Sequence, residues 1–216
     1  MTAVLLPLLW AVVGAAGGWL VRWGSVRLGR LEELEPGHQR WQVYGPSILS
    51  ALLFAIFAAE GRPFLLLVLR SLFVLVLVQV IFFDFEHRLI LDRVMFPSMV
   101  AALLLSFTGD PWFSGHDRWH GIATGVAAGL VFFLLSIAGQ AIFKGEALGF
   151  GDVKLAAFMG FLLGPLATVQ ALFYGIFLAG IASVAIAVRY RSMRGTIAYG
   201  PYLAAGALIV LYLLPQ

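Results

Sequence analysis

A chain of 216 residues that is 62% hydrophobic and 12% charged, with a mean hydropathy of +0.97, is too apolar for an ordinary soluble domain. It contains no cysteine, which excludes disulfides, a thiolate nucleophile and a Cys-ligated zinc site. Its net charge of +3 comes from basic residues scattered over several loops with no interleaved recognition motif, which argues against nucleic-acid binding and for a topology signal.

Apolar runs between polar punctuation predict an all-α, polytopic protein of the lipid bilayer with eight helices, roughly 3–21, 46–59, 66–84, 94–108, 119–142, 153–163, 166–188 and 198–214. The first run has no basic segment ahead of it and its positive charges follow it, so it reads as a span and not as a cleaved signal peptide. Residues 22–45 then form a short cytoplasmic loop, with an acidic knot of Glu32, Glu33 and Glu35 closed by Pro36 and Gly37. The third span carries Arg70, which predicts a start nearer Ser71 or a side chain that snorkels to the interface. GDPWFSGHDR, residues 109–118, reads as an external turn. Twenty-four glycines spread through the apolar runs suit close helix packing. No linker or repeat divides the chain, which is expected to be a single membrane-embedded domain, 1–216.

Charge alternates from loop to loop. Arg22, Arg27, Arg30 and Arg40 precede the second span; Arg88 and Arg93 follow the third; Lys144 and Lys154 flank the loop after the fifth; Arg189, Arg191 and Arg194 follow the seventh. The intervening loops hold Arg62 and Arg118, with Arg70 near an edge, so the basic loops are expected in the cytoplasm and both termini outside.

Of the five aspartates, Asp110 and Asp117 fall in the external turn, where a solvated carboxylate needs no explanation. Asp84 ends the run VLVLVQVIFFD, and Asp152 stands in GFGDVKL at the start of the sixth span, so both belong at the cytoplasmic edge of the membrane. A carboxylate at a membrane-helix centre costs about 2.5 to 3.5 kcal/mol and less toward the interface, so such groups tend to mark function. Two carboxyls brought close share one proton, leaving one as base and one as acid, which is the arrangement that activates water against a peptide carbonyl without metal or cofactor. Gly149 and Gly151 offer backbone geometries closed to other residues and let a peptide approach the main chain. Lys154 is open to three readings: a snorkelling cation, a group that tunes Asp152, or a partner for a substrate carboxylate. The plainer alternatives are that Asp152 is a helix N-cap and that Asp84 anchors an interfacial cluster with His87 and Arg88.

These segments carry a resemblance. FFDFEHRLILDRVMFP, GEALGFGDVKLAAFMG and IAYGPYLAAGALIVLY resemble successive motifs of the type IV prepilin peptidases, GxGD-type intramembrane aspartic proteases of the bacterial inner membrane. The resemblance implies that Asp84 and Asp152 are the catalytic pair, with Gly149, Gly151 and Lys154 as motif residues. It implies removal of a basic leader from prepilins or type II secretion pseudopilins at the cytoplasmic face, and in many members methylation of the new amino terminus with S-adenosylmethionine. Glu86, Asp92 and Glu146 are then expected to meet the basic leader. The chain departs from the pattern in three places. The first loop lacks the Cys-x-x-Cys pairs of longer members, which removes zinc and leaves methylation open; Leu91 stands in place of a turn proline; and Ser47 stands in place of a glutamate.

Rival classes have weaker signals. His116 and His120 in HDRWH have neither an intervening glutamate nor a third ligand for a metal. Ser136 and Ser183 lack a partner base. Gln79, Gln140 and Gln170 would line a path in a transporter or glue helices in a scaffold.

Overall fold

The structure, a computed structural model, describes residues 2–61, 63–108, 118–143, 148–190 and 198–213. Regular structure among them is helical throughout: α1 (Thr2–Leu31), α2 (Arg40–Ala59), α3 (Phe64–His87), α4 (Asp92–Ser106), α5 (Arg118–Phe143), α6 (Phe150–Tyr190) and α7 (Gly200–Leu213). Five of these, α1, α2, α3, α5 and α6, are long and apolar enough to cross a membrane, while α4 and α7 have 15 and 14 residues. The chain is an all-helical, multi-pass membrane protein.

Among the described residues the sixth and seventh expected spans adjoin within α6. The chain nevertheless breaks between them: Gly164 has φ 71° and ψ −174°, a left-handed φ that favours glycine. Pro165 follows, and a proline disfavours helical geometry in the residue before it and lacks an N–H for the carbonyl four residues back. That carbonyl, of Phe161, accepts instead from the Ser106 hydroxyl of α4 at 2.6 Å.

The first loop is also shorter than expected. α1 carries Arg22, Arg27 and Arg30 within the helix, and α2 begins at Arg40. The segment VRWGSVRLGR has no proline, and arginine is a good helix former, so leaving the apolar run does not end the helix. What ends it is Glu33, at φ 59°, with Leu34 N–H reaching Gly29 O at 2.9 Å and Glu33 N–H reaching Arg30 O at 3.3 Å, the two bonds of a Schellman cap.

Two compact units divide the helices, α1 to α3 within Met1–Leu91 and α4 to α7 within Asp92–Pro215. In the first, α1 and α2 pack backbone to backbone, so that a Cβ added to Gly14 would lie 2.5 Å from Ser50 O. α3 is tied to α1 where the Trp10 indole N–H donates to Ser71 Oγ at 2.9 Å. Arg70 neither snorkels nor delays the helix: α3 starts at Phe64 and Arg70 is 1% exposed. Glu60, at the end of α2, supplies a carboxylate 3.8 Å from the guanidinium, which also lies over the Phe57 ring at 6.0 Å. A short turn back from α2 therefore brings the countercharge to Arg70 inside the unit.

In the second unit α5 and α6 cross at small residues. A Cβ added to Gly160 of α6 would meet Gly125 Cα at 2.5 Å and Thr124 O at 2.7 Å. Beyond the break, α6 packs on α7, where Gly175 faces Leu203.

Candidate active site

Asp84 lies in the last turns of α3 and is 5% exposed. Ser71, Leu75, Phe82 and Glu86 recur at helical spacing and form the face of α3 that meets α1 and α2: Ser71 bonds Trp10, Leu75 lies against Gly17, Phe82 against Gly45, and Glu86 pairs with Arg22. At 3.6 residues per turn, Asp84 is about 160° around the helix from both Phe82 and Glu86, so its carboxylate is turned away from α1 and α2. The helix closes just beyond it. Arg88 adopts φ 54° and its N–H donates to Asp84 O at 2.8 Å, the last hydrogen bond of the helix.

Glu86 is held from three directions. Arg22 Nη1 donates to its Oε2 at 2.6 Å, the Gly37 amide donates to Oε1, and His87 Nε2 lies 3.3 Å from Oε1. A second Arg22 nitrogen donates to the Gly37 carbonyl, and the His87 ring packs on Phe83 at 4.7 Å. The Glu86 side chain is 4% exposed, so the expected open acid at the interface is instead an internal junction of α1, α3 and the connection after α1. The expectation missed it because Arg22, its partner, is 64 residues away in sequence.

In the second unit the GFGD segment is anchored where the Ser136 hydroxyl of α5 donates to Leu148 O at 2.9 Å. α6 begins at Phe150, and Asp152 N–H donates to Gly149 O at 3.1 Å. Gly149 thus holds the N-cap position, and Asp152 is the third residue of the helix. It is not the cap residue of the plainer alternative. In the first turn a carboxylate faces unsatisfied N–H groups and the positive end of the helix dipole. Neither Gly149 nor Gly151 has a positive φ, so these glycines do not provide a backbone shape closed to other residues. Their remaining contribution is a first turn without side chains on either side of Phe150.

Asp152 is 8% exposed and shares its helix face with Leu155, Ala156, Met159 and Leu163, all fully buried. α5 lies against a different face, through Ala157, Gly160 and Phe161. Lys154 is about 160° around the helix from Asp152. Its ammonium donates to Asp92 Oδ1 at 2.5 Å and lies 4.7 Å from the ring centroids of both Phe96 and Phe150. The Lys154 side chain is 10% exposed and that of Asp92 57%. In the described structure the Lys154 charge is matched by the Asp92 carboxylate of α4. Glu146 and His116 lie outside the described residues.

The rival serines are occupied as backbone donors, Ser136 as above and Ser183 to Ala179 O at 2.7 Å. Gln140 and Gln170 are on exposed faces of their helices and line no internal path. Gln79 is buried, and its amide finds no hydrogen-bond partner among the described residues.

Known proteins bear on this arrangement. A family model described as "Type IV leader peptidase family" matches residues 71–184, a stretch that contains both Asp84 and Asp152. A Bacillus subtilis (strain 168) protein named prepilin leader peptidase/N-methyltransferase is 32% identical over 161 residues, covering 71% of this chain and 60% of that protein. An Aeromonas salmonicida (strain A449) protein of the same name is 30% identical over 166 residues, covering 76% of this chain and 55% of that protein. The chain therefore spans a little over half the length of these relatives, and no solved structure matches it significantly. With more than half of its length inside the family model, and both candidate aspartates within the match, the chain belongs to the type IV leader peptidase family.

Proposed function

We propose that the protein is an intramembrane aspartic endopeptidase that removes the basic leader from prepilins or type II secretion pseudopilins. The observation that carries this reading is the pair of nearly buried aspartates, each within the stretch matched by the family model and each at one end of an apolar helix. Asp84 and Asp152 act as one unit holding one proton. The ionised carboxylate takes a proton from water as its oxygen attacks the scissile carbonyl carbon and the protonated partner gives its proton to the carbonyl oxygen; the proton taken from water then passes to the departing nitrogen as the C–N bond breaks, and the diol returns a proton to the partner. Backbone bare of side chains at Gly149 and Gly151 leaves room for an extended peptide beside Asp152. By the positive-inside rule the chemistry takes place at the cytoplasmic face of the inner membrane, with both termini outside.

The relatives' name includes N-methyltransferase. The connection between α1 and α2 contains no cysteine and does not fit a thiolate zinc site, so no step is routed through zinc. No residue of the chain is assigned to S-adenosylmethionine. The test is incubation of the purified protein with a prepilin, with and without S-adenosylmethionine, followed by mass spectrometry. The expected product is the mature chain cut once after its leader, and a further mass gain of one methyl group only with S-adenosylmethionine would assign methyl transfer to the same chain. An uncut prepilin refutes the peptidase reading.

A further inference from the structure

The same device recurs at both aspartates. Two residues beyond Asp84 stands Glu86, and two beyond Asp152 stands Lys154; each is a nearly buried charge tied to another helix of its own unit. Glu86 uses both carboxylate oxygens, one on Arg22 of α1 and one on the Gly37 amide. Lys154 uses its ammonium on Asp92, the first residue of α4, with the ring centroids of Phe96 and Phe150 each 4.7 Å away.

We propose that Glu86 and Lys154 are positioning residues of the peptidase, charge clips that hold the helix ends bearing Asp84 and Asp152 against rotation, with Arg22 and Asp92 as their anchors. The inference rests on the peptidase reading above. A residue two places on projects about 160° away from the aspartate, so the clip grips the helix on the side opposite the carboxylate. Such a grip has its use at a helix terminus, where the last or first turn lacks half its backbone bonds and frays. A side chain reaching about 5 Å from the axis moves nearly 2 Å when its helix turns by about 20°. A misplacement of about 1 Å at a reacting group can cost roughly 100-fold in rate. A basic leader docking on Glu86 would have to compete with Arg22 and the Gly37 amide, which already donate to its two oxygens.

The experiment measures kcat and KM for cleavage of a prepilin by the purified full chain. Lys154→Met is expected to lower kcat roughly 10- to 100-fold with KM within about threefold of the wild type, and Lys154→Arg, which keeps the ion pair and the aromatic stacking, is expected to recover most of the loss. Glu86→Gln is expected to repeat the kcat loss in the other unit. Should Lys154→Met fail to fold, Asp92→Asn at the more exposed end of the pair must show the same kcat loss. Unchanged kcat in these variants overturns the inference. So does a rise in KM at constant kcat, which would mark a substrate contact, and so does a Lys154→Arg variant as slow as Lys154→Met. A wild type that leaves prepilin uncut overturns the peptidase reading itself, a separate and recognisable failure.

Discussion

Asp84→Asn and Asp152→Asn are each expected to slow leader cleavage by at least about 1,000-fold while the protein stays folded. Asparagine keeps the size of the side chain and removes only its ability to exchange a proton. In a pair that shares one proton, either replacement leaves the other carboxyl without its complement, so the two losses are not additive. The double variant is therefore expected to be no slower than the slower single variant. The protein is expected to stay folded, because asparagine keeps the shape of the side chain and its capacity to accept a hydrogen bond. Cleavage assays alongside thermal unfolding in detergent check both halves, and substantial cutting by either single variant would remove that aspartate from the chemistry.

Gly160→Leu is expected to produce the opposite pattern, loss of activity because the fold fails. The atoms a Cβ would meet, Gly125 Cα at 2.5 Å and Thr124 O at 2.7 Å, are backbone and cannot swing aside as a side chain would. Relief requires α5 and α6 to separate, which opens the packing beside the stripe that carries Asp152. Overpacking a well-filled core typically costs 1 to 3 kcal/mol, and a clash with main chain belongs at or above the top of that range, about 3 kcal/mol or more. The control is Gly180→Leu: no atom lies within 4 Å of a Cβ at Gly180, so the change is expected to stay within about 0.5 kcal/mol. Thermal unfolding of the two variants in the same detergent decides the matter, and equal midpoints would show that α5 and α6 do not depend on this close approach.

That Asp84 and Asp152 stand near the ends of apolar helices could be read from sequence because the transfer cost of a charge is steep, so an aspartate tends to mark the margin of an apolar run. The break at Gly164 and Pro165 was legible for a similar reason, since both residues act on the local backbone. The end of α1 was not, because hydropathy reports where lipid ends, whereas a helix ends only where its backbone is capped, here at Glu33. Arg70 was misjudged because a buried arginine depends on a countercharge that the turn after α2 delivers, and hydropathy does not encode that turn. The partners of Glu86 and Lys154 lie 64 and 62 residues away in sequence, so those charges looked available for substrate when each was already matched within its own unit. Gly149 and Gly151 were credited with unusual dihedrals on the strength of residue type, but an ordinary helix start needs none.

The proposed reaction depends on the two carboxyls meeting, and the absence of any native cysteine allows a background-free test. Asp84→Cys and Asp152→Cys, combined in one chain in native membranes, would be treated with a short bifunctional thiol reagent, and the bridged peptides identified by mass spectrometry. A bridge between positions 84 and 152 in the double variant, absent from each single variant, is the predicted result. Full labelling of both thiols as separate adducts, with no bridge by reagents of increasing length, would contradict it.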